Sequence, residues 1–289
     1  RTINDTLDGF KGFDVAGDQH VYFYGGAVKK SLIVAGKEGV VVKDNVSITG
    51  DGTKFVVGTE LSTNPGVARA ATNITNGGFT VESGKSVTLD GKNAKLSINV
   101  DQDVTLKNNA HIFVKGRDSL VKGDGIDTNV VVASHNGNLV LNNSATLEVV
   151  SGTPVHVDVN ANKVKLDAGA QLNSGNDTVG ALRVHTDEII TPTTDDNTTN
   201  IVGKSGLVIT RKTQGDLTLN NTAAGAGLHI TSDQLNGKLF GNQFVELVLG
   251  DDNSTAVMID GLEANNRVVV KTAESGKAVI GAGGLKVGT

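Results

Sequence analysis

The chain has 289 residues and a formal net charge of −5. No apolar run approaches the roughly 18–20 residues that a membrane-spanning helix needs, and Lys and Arg are scattered, so neither membrane insertion nor nucleic-acid binding is expected. Apolar residues make up 38% but aromatics only 3%, with no Trp, which disfavours a large globular core and suits a narrow tube of stacked aliphatic side chains.

Zero cysteines fits a cytosolic setting or, the favoured reading, an exported protein that crosses a periplasm unfolded, where disulfides would lock it. No secretory leader opens the chain at Arg1, as expected of a cytosolic protein or of a processed or excised piece of a longer one. Residues 1–78 hold most of the aromatics, among them Phe10, Phe13, Tyr22, Phe23, Tyr24 and Phe55, and are less regular than the rest. Strands are expected at His20–Tyr24, Ser31–Val34, Gly39–Val42 and Lys54–Val57. A terminal unit that covers the end of a repeat array would use such bulky residues.

From 79 onward one short phrase recurs. It reads Val104-Thr-Leu106-Lys-Asn-Asn-Ala110-His-Ile112, Leu139-Val-Leu141-Asn-Asn-Ser-Ala145-Thr-Leu147 and Val164-Lys-Leu166-Asp-Ala-Gly-Ala170-Gln-Leu172. Val87-Thr-Leu89-Asp-Gly-Lys-Asn-Ala94-Lys-Leu96 carries one extra residue, and Leu217-Thr-Leu219-Asn-Asn-Thr-Ala223 is a truncated copy. Each copy is a short strand of period two, a polar turn, a small Ala and the next strand. Such strands cannot form a core within one copy and must stack on neighbours, so the fold class is an all-β solenoid with a turn of roughly 25 residues. The regular part is expected over 79–289, continuous with the irregular first part.

The largest loop is expected at 186–200. Its exposed candidates for binding are Thr191, Thr193, Thr194, Asp195, Asp196 and Asn197. Thr231-Ser-Asp-Gln234 is a capping-box signature, and Leu235 and Leu239 follow at helical spacing, so one short α-helix is expected near 232–241. Strand pattern returns at Val245–Leu249 and still runs at Leu285–Val287 without a polar cap, an edge that something would have to cover.

The phrase, the absence of cysteine and the Asn/Gly/Thr-rich turns resemble the filamentous haemagglutinin-like adhesins, large secreted exoproteins of Gram-negative bacteria. The segment Leu228-His-Ile-Thr-Ser-Asp-Gln-Leu235 followed by Val245-Glu-Leu-Val-Leu249-Gly250 is similar to a recurring helix-then-strand unit of that family. The resemblance spans roughly 79–289. It implies a right-handed single-stranded parallel β-helix, export through an outer-membrane partner, and a role in adhesion or extracellular matrix. Neither an amino-terminal secretion module nor a carboxy-terminal barrel is seen, so it implies an internal or distal section of such a protein.

The paired turn residues Asn108, Asn109, Asn142, Asn143, Asn220 and Asn221 are expected to have a structural role, stacking from coil to coil. The six histidines (20, 111, 135, 156, 185 and 229) show no metal-ligand spacing. Asp101/Asp103, Asp124/Asp127, Asp195/Asp196 and Asp251/Asp252 leave calcium open, although none follows a calcium-loop pattern. No other cofactor is expected. A polysaccharide hydrolase or lyase is the rival enzyme class; Gly250-Asp251-Asp252 fits one fragment of such a site, but the other segments are missing and the arginines are dispersed.

The expected function is therefore a non-catalytic section of a secreted adhesin or matrix protein, a rigid rod meeting a cell-surface glycan or protein. The alternative is a self-assembling subunit that stacks end to end with other copies of itself into a filament.

Overall fold

The structure, a computed structural model, describes residues 13–15, 20–60, 77–92, 94–115, 128–149, 156–174, 181–193, 198–203, 206–220, 227–231, 234, 244–264 and 267–288. One coil shows how the phrase folds. Phe79–Val81 runs to a tight turn, Ser86–Asp90 to a second corner and Lys95–Val100 to a third; Val104–Leu106 then opens the next coil beside Phe79–Val81. Side chains alternate in and out along each short strand, so two apolar positions two apart both point inward. Stacking coil on coil in parallel builds three faces. The protein is a parallel β-helix.

Face one carries His20–Phe23, Gly39–Val42, Phe79–Val81, Val104–Leu106 and Leu139–Leu141, followed by the second halves of the long strands His156–Leu166 and Leu182–Ile190. Face two runs from Gly26–Val28 through Val46–Thr49, Ser86–Asp90, His111–Lys115, Thr146–Val149 and Gln171–Asn173 to Ile201–Val202. Face three runs from Leu32–Val34 through Lys54–Gly58, Lys95–Val100, Thr128–Ser134 and the first halves of those long strands to Leu207–Thr210, Glu246–Leu249 and Arg267–Val270. Where faces three and one share a strand, the corner between them is a bend in unbroken backbone.

The core is a set of aliphatic columns. On face one Phe79, Val104, Leu139 and Val164 lie directly side by side, as do Val81, Leu106, Leu141 and Leu166, and all are buried. The coils sit about 4.8 Å apart, the ordinary strand spacing, so each layer removes the apolar surface of the next from water. Ala110, Ala145 and Ala170 are fully buried at the corner between faces one and two. Their position inside a tight turn explains why the phrase uses so small a residue there.

One sequence assignment is refined. The Val87–Leu96 copy of the phrase lies at the corner between faces two and three, not between one and two. The true counterpart in that coil is Phe79-Thr-Val81-Glu-Ser-Gly84-Lys85-Ser-Val87, where Lys85 stands in the Ala position and hides the match. The extra residue belongs to a different corner.

The first residues join the same stack. His20–Phe23 pairs with Gly39–Val42, which pairs with Phe79–Val81, and Gly26–Val28 and Val46–Thr49 add strands that the pattern had not indicated. Phe23, Phe55 and Phe79 fill the tube, the last two meeting edge to face at 5.9 Å. Phe13–Val15 pairs antiparallel with His20–Phe23 and covers the outer edge of face one.

Beyond 210 the order along the axis departs from the order along the chain. Leu228–Thr231, Gly215–Asn220, Ser254–Ile259 and Lys277–Ile280 form one parallel sheet in that spatial order, with Leu262–Ala264 pairing Leu285–Val287 alongside. Leu228–Thr231 folds back against Leu182–Ile190, and the Gln234 amide just after it donates to Ile189 O at 3.1 Å. Of the helix expected near 232–241, only Gln234 lies within the described residues.

Candidate binding faces

The paired asparagines are brought together in part. Turn 107–110 stacks directly on turn 142–145, and each closes with an i to i+3 bond, Ala110 N to Lys107 O and Ala145 N to Asn142 O, both 2.9 Å. The third turn residue takes a left-handed conformation, φ 57° at Asn109 and at Ser144, matched by Gly84 and Gly169 in the flanking coils. That is a type II turn, and it explains the Asn and Gly there. A backbone ladder joins the turns: Gly84 N donates to Asn108 O, Asn109 N to Asn143 O and Ser144 N to Ala168 O, each at 2.9 Å. Thus Asn108, Asn109, Asn142 and Asn143 are neighbours linked through their main chain. Asn220 closes a strand of the separate carboxy-terminal sheet; its side chain and Asn221 lie outside the described residues.

The expected loop is described only at its base. Thr193 is exposed, Thr191 Oγ1 accepts from Gln234 Nε2 at 3.4 Å, and Thr194, Asp195, Asp196 and Asn197 lie outside the described residues. Thr231 and Gln234 form the reciprocal capping pair: Thr231 N donates to Gln234 Oε1 at 3.0 Å, and Gln234 N to Thr231 Oγ1 at 3.2 Å.

The three faces differ in what they show to solvent. Face three is covered along its middle coils: the outward residues Val56, Ser97, Val131 and Asp158 are only 1%, 4%, 3% and 2% exposed, whereas Ile33 beside Val56 is open to solvent. Asp158 meets Arg183 of the next coil in a two-point ion pair, Nη2 to Oδ2 at 3.0 Å and Nε to Oδ1. Face one presents half-buried Tyr22, Val41, Thr80, Thr105 and Val140. At its start Lys43 Nζ lies 5.2 Å from the Tyr22 ring centre. Glu82 bridges Lys43 at 3.3 Å and Lys107 at 2.8 Å, and these contacts, Lys107 first, hold its carboxyl below the usual range.

Face two presents the richest surface. Ser47, Thr88, Phe113, Glu148 and Asn173 form one half-buried row, and Ser86, His111, Thr146 and Gln171 form the row beside it. His111 and Phe113, two apart on one strand, stack ring on ring with centroids 5.2 Å apart and planes at 19°. Burial pushes the His111 imidazole below its ordinary pKa, against the pull of Glu148, and its Nδ1 has no hydrogen-bond partner. The phrase hid this pair, because its outward positions vary freely while its inward ones repeat.

The acidic pairs are corner residues. Asp101 Oδ1 accepts from Asn136 Nδ2 at 2.6 Å, Asp103 Oδ1 from Asn138 N at 2.8 Å, and Asp251 Oδ1 from Asn253 N at 2.9 Å; Asp124, Asp127, Asp195 and Asp196 lie outside the described residues. Among the described residues no three His or acidic groups gather as for a metal ion. In Gly250-Asp251-Asp252 the glycine has φ 83°, and a Cβ there would meet Lys271 O at 2.2 Å, so the segment serves a tight corner. A polar network missed in the sequence lines the corner between faces three and one, where His135 Nε2 meets Asn99 Oδ1 at 2.7 Å and Lys212 reaches Asn162 Oδ1 at 2.7 Å. Its members are too far apart in the chain for any spacing rule to link them. Comparison of the chain with protein-family models, with curated proteins and with solved structures finds no match.

Proposed function

We propose that the chain is a non-catalytic section of a secreted, cell-surface adhesin or matrix protein, exported with the help of an outer-membrane partner. It binds a cell-surface glycan or protein along its side. The observation that supports this reading most is the pair of ladders on face two, with the stacked His111 and Phe113 between rows of hydroxyl, amide and carboxylate groups. An aromatic surface flanked by hydrogen-bonding groups at a regular spacing suits an extended ligand laid along the axis. The antiparallel strand Phe13–Val15 weighs against the filament reading, since a copy continuing face one in parallel would have to displace it. Binding of the purified chain to intact cells and to an array of surface glycans tests the proposal. Replacing both His111 and Phe113 by Ala should reduce binding at least tenfold with the fold intact. Unchanged binding removes face two as the site, and turnover of any polysaccharide overturns the non-catalytic reading.

A further inference from the structure

Lys212 leaves the strand Leu207–Thr210 and folds back across the corner between faces three and one. Its Nζ donates to Ser134 O at 3.0 Å, to His135 O and to Asn162 Oδ1 at 2.7 Å. The Asn162 amide is itself fixed: Nδ2 donates to Asn136 O at 2.9 Å, which settles which end is the carbonyl. Its main chain is pinned as well, Asn162 N donating to Gly137 O at 2.9 Å and Asn162 O accepting from Thr186 Oγ1 at 3.1 Å. The lysine nitrogen therefore stands at the carbonyl end of an immobilised amide.

The surroundings suit a reaction between the two. Burial lowers the Lys212 pKa and enlarges its neutral, nucleophilic fraction, while Asp187 and Asp101 act in the opposite sense. Arg211, beside it in the chain, is paired with Asp187 at 3.0 Å. Asp101 accepts from the Asn136 side chain, and the Asn136 carbonyl accepts from the Asn162 amide nitrogen, so the carboxamide is held still beside the lysine.

We propose that Lys212 and Asn162 close an intramolecular isopeptide bond. Neutral Nζ attacks Cγ of Asn162 and an N–C bond forms. The tetrahedral adduct then collapses with cleavage of the Cγ–Nδ2 bond, and a proton from Nζ leaves with Nδ2 as ammonia. No oxidant, reductant or water is consumed. The bond clasps coils on either side of Leu182–Ile190 and closes a loop spanning 50 residues, restricting the unfolded chain as a disulfide would in a protein without cysteine.

The full chain, denatured and weighed by mass spectrometry, decides the matter. The expected mass is lower than that of the sequence by one ammonia, with a branched peptide joining the segments around Asn162 and Lys212 after digestion. Lys212→Arg keeps a cation on the carbonyls and should restore the full mass. A wild-type chain at full mass overturns the proposal whether or not the variant folds. So does an ammonia loss that persists in Lys212→Arg, which would place it at ring closure of an Asn-Gly pair such as Asn136-Gly137.

Discussion

Asn109 and Ser144 hold the same backbone angle, φ 57°, yet only Asn is a residue that enters the left-handed region readily. The turn imposes the angle because its amide must point along the axis to the next turn, Asn109 N to Asn143 O at 2.9 Å. Asn109→Gly should therefore be tolerated within a few tenths of a kcal/mol, whereas Asn109→Val should cost about 1–2 kcal/mol, read from urea unfolding midpoints. Two histidines make stability depend on pH on the acid side of neutrality. Burial is the main cause that lowers the pKa of both His111 and His135. The unfolded chain then binds protons more readily than the folded one. Their contribution is complete above the unfolded value near 6.5 and is lost as pH falls through the lower folded values. The thermal midpoint should drop as pH falls from about 7 to about 5, and His111→Gln with His135→Gln should flatten that slope.

At the level of single strands, alternation made the inward residues legible and left the outward ones unread. Val104, Leu106 and Ile112 announce themselves by period and lie in the core. Their outward neighbours obey no rule that a sequence displays, because solvent accepts many side chains. Face three shows the limit well: Ser97 and Asp158 sit where alternation expects exposure, yet both are buried. The capping pair at Thr231 and Gln234 was legible because both partners lie within one turn of chain and each accepts from the other's backbone amide. Thr231→Ala removes the acceptor for Gln234 N and should cost about 1 kcal/mol, measured by thermal unfolding against a Thr231→Ser control that keeps most of it.

Over the whole molecule the coil is the unit of stability. Leu139 lies beside Val164, as Val130 lies beside Val157 and Thr146 beside Gln171, so residues 139–163 are one full circuit of three faces. Excising them should bring Leu106 beside Leu166 and leave a folded, slightly shorter rod. Removing only 139–150 shifts every later strand onto the wrong face and should abolish cooperative unfolding. Circular dichroism and a melting curve of the two deletions test this, since nearest-neighbour stacking allows the loss of a whole repeat but not of part of one. Uneven gaps between copies of the phrase have the same origin. The extra residues of the longer circuits fall between strands, as between Lys115 and Thr128, and leave the columns in register, while a regular circuit takes 25 residues, as between Glu82 and Lys107.

By itself the sequence determined the solenoid and the place of its turns, because inward period, small corner residues and polar turn residues are constraints that each coil must meet locally. Only the tertiary structure decided which faces are open, that Leu228–Thr231 doubles back on Leu182–Ile190, and that Lys212 meets Asn162. Those depend on residues brought together from distant coils, where stacking fixes neighbours that no spacing along the chain records.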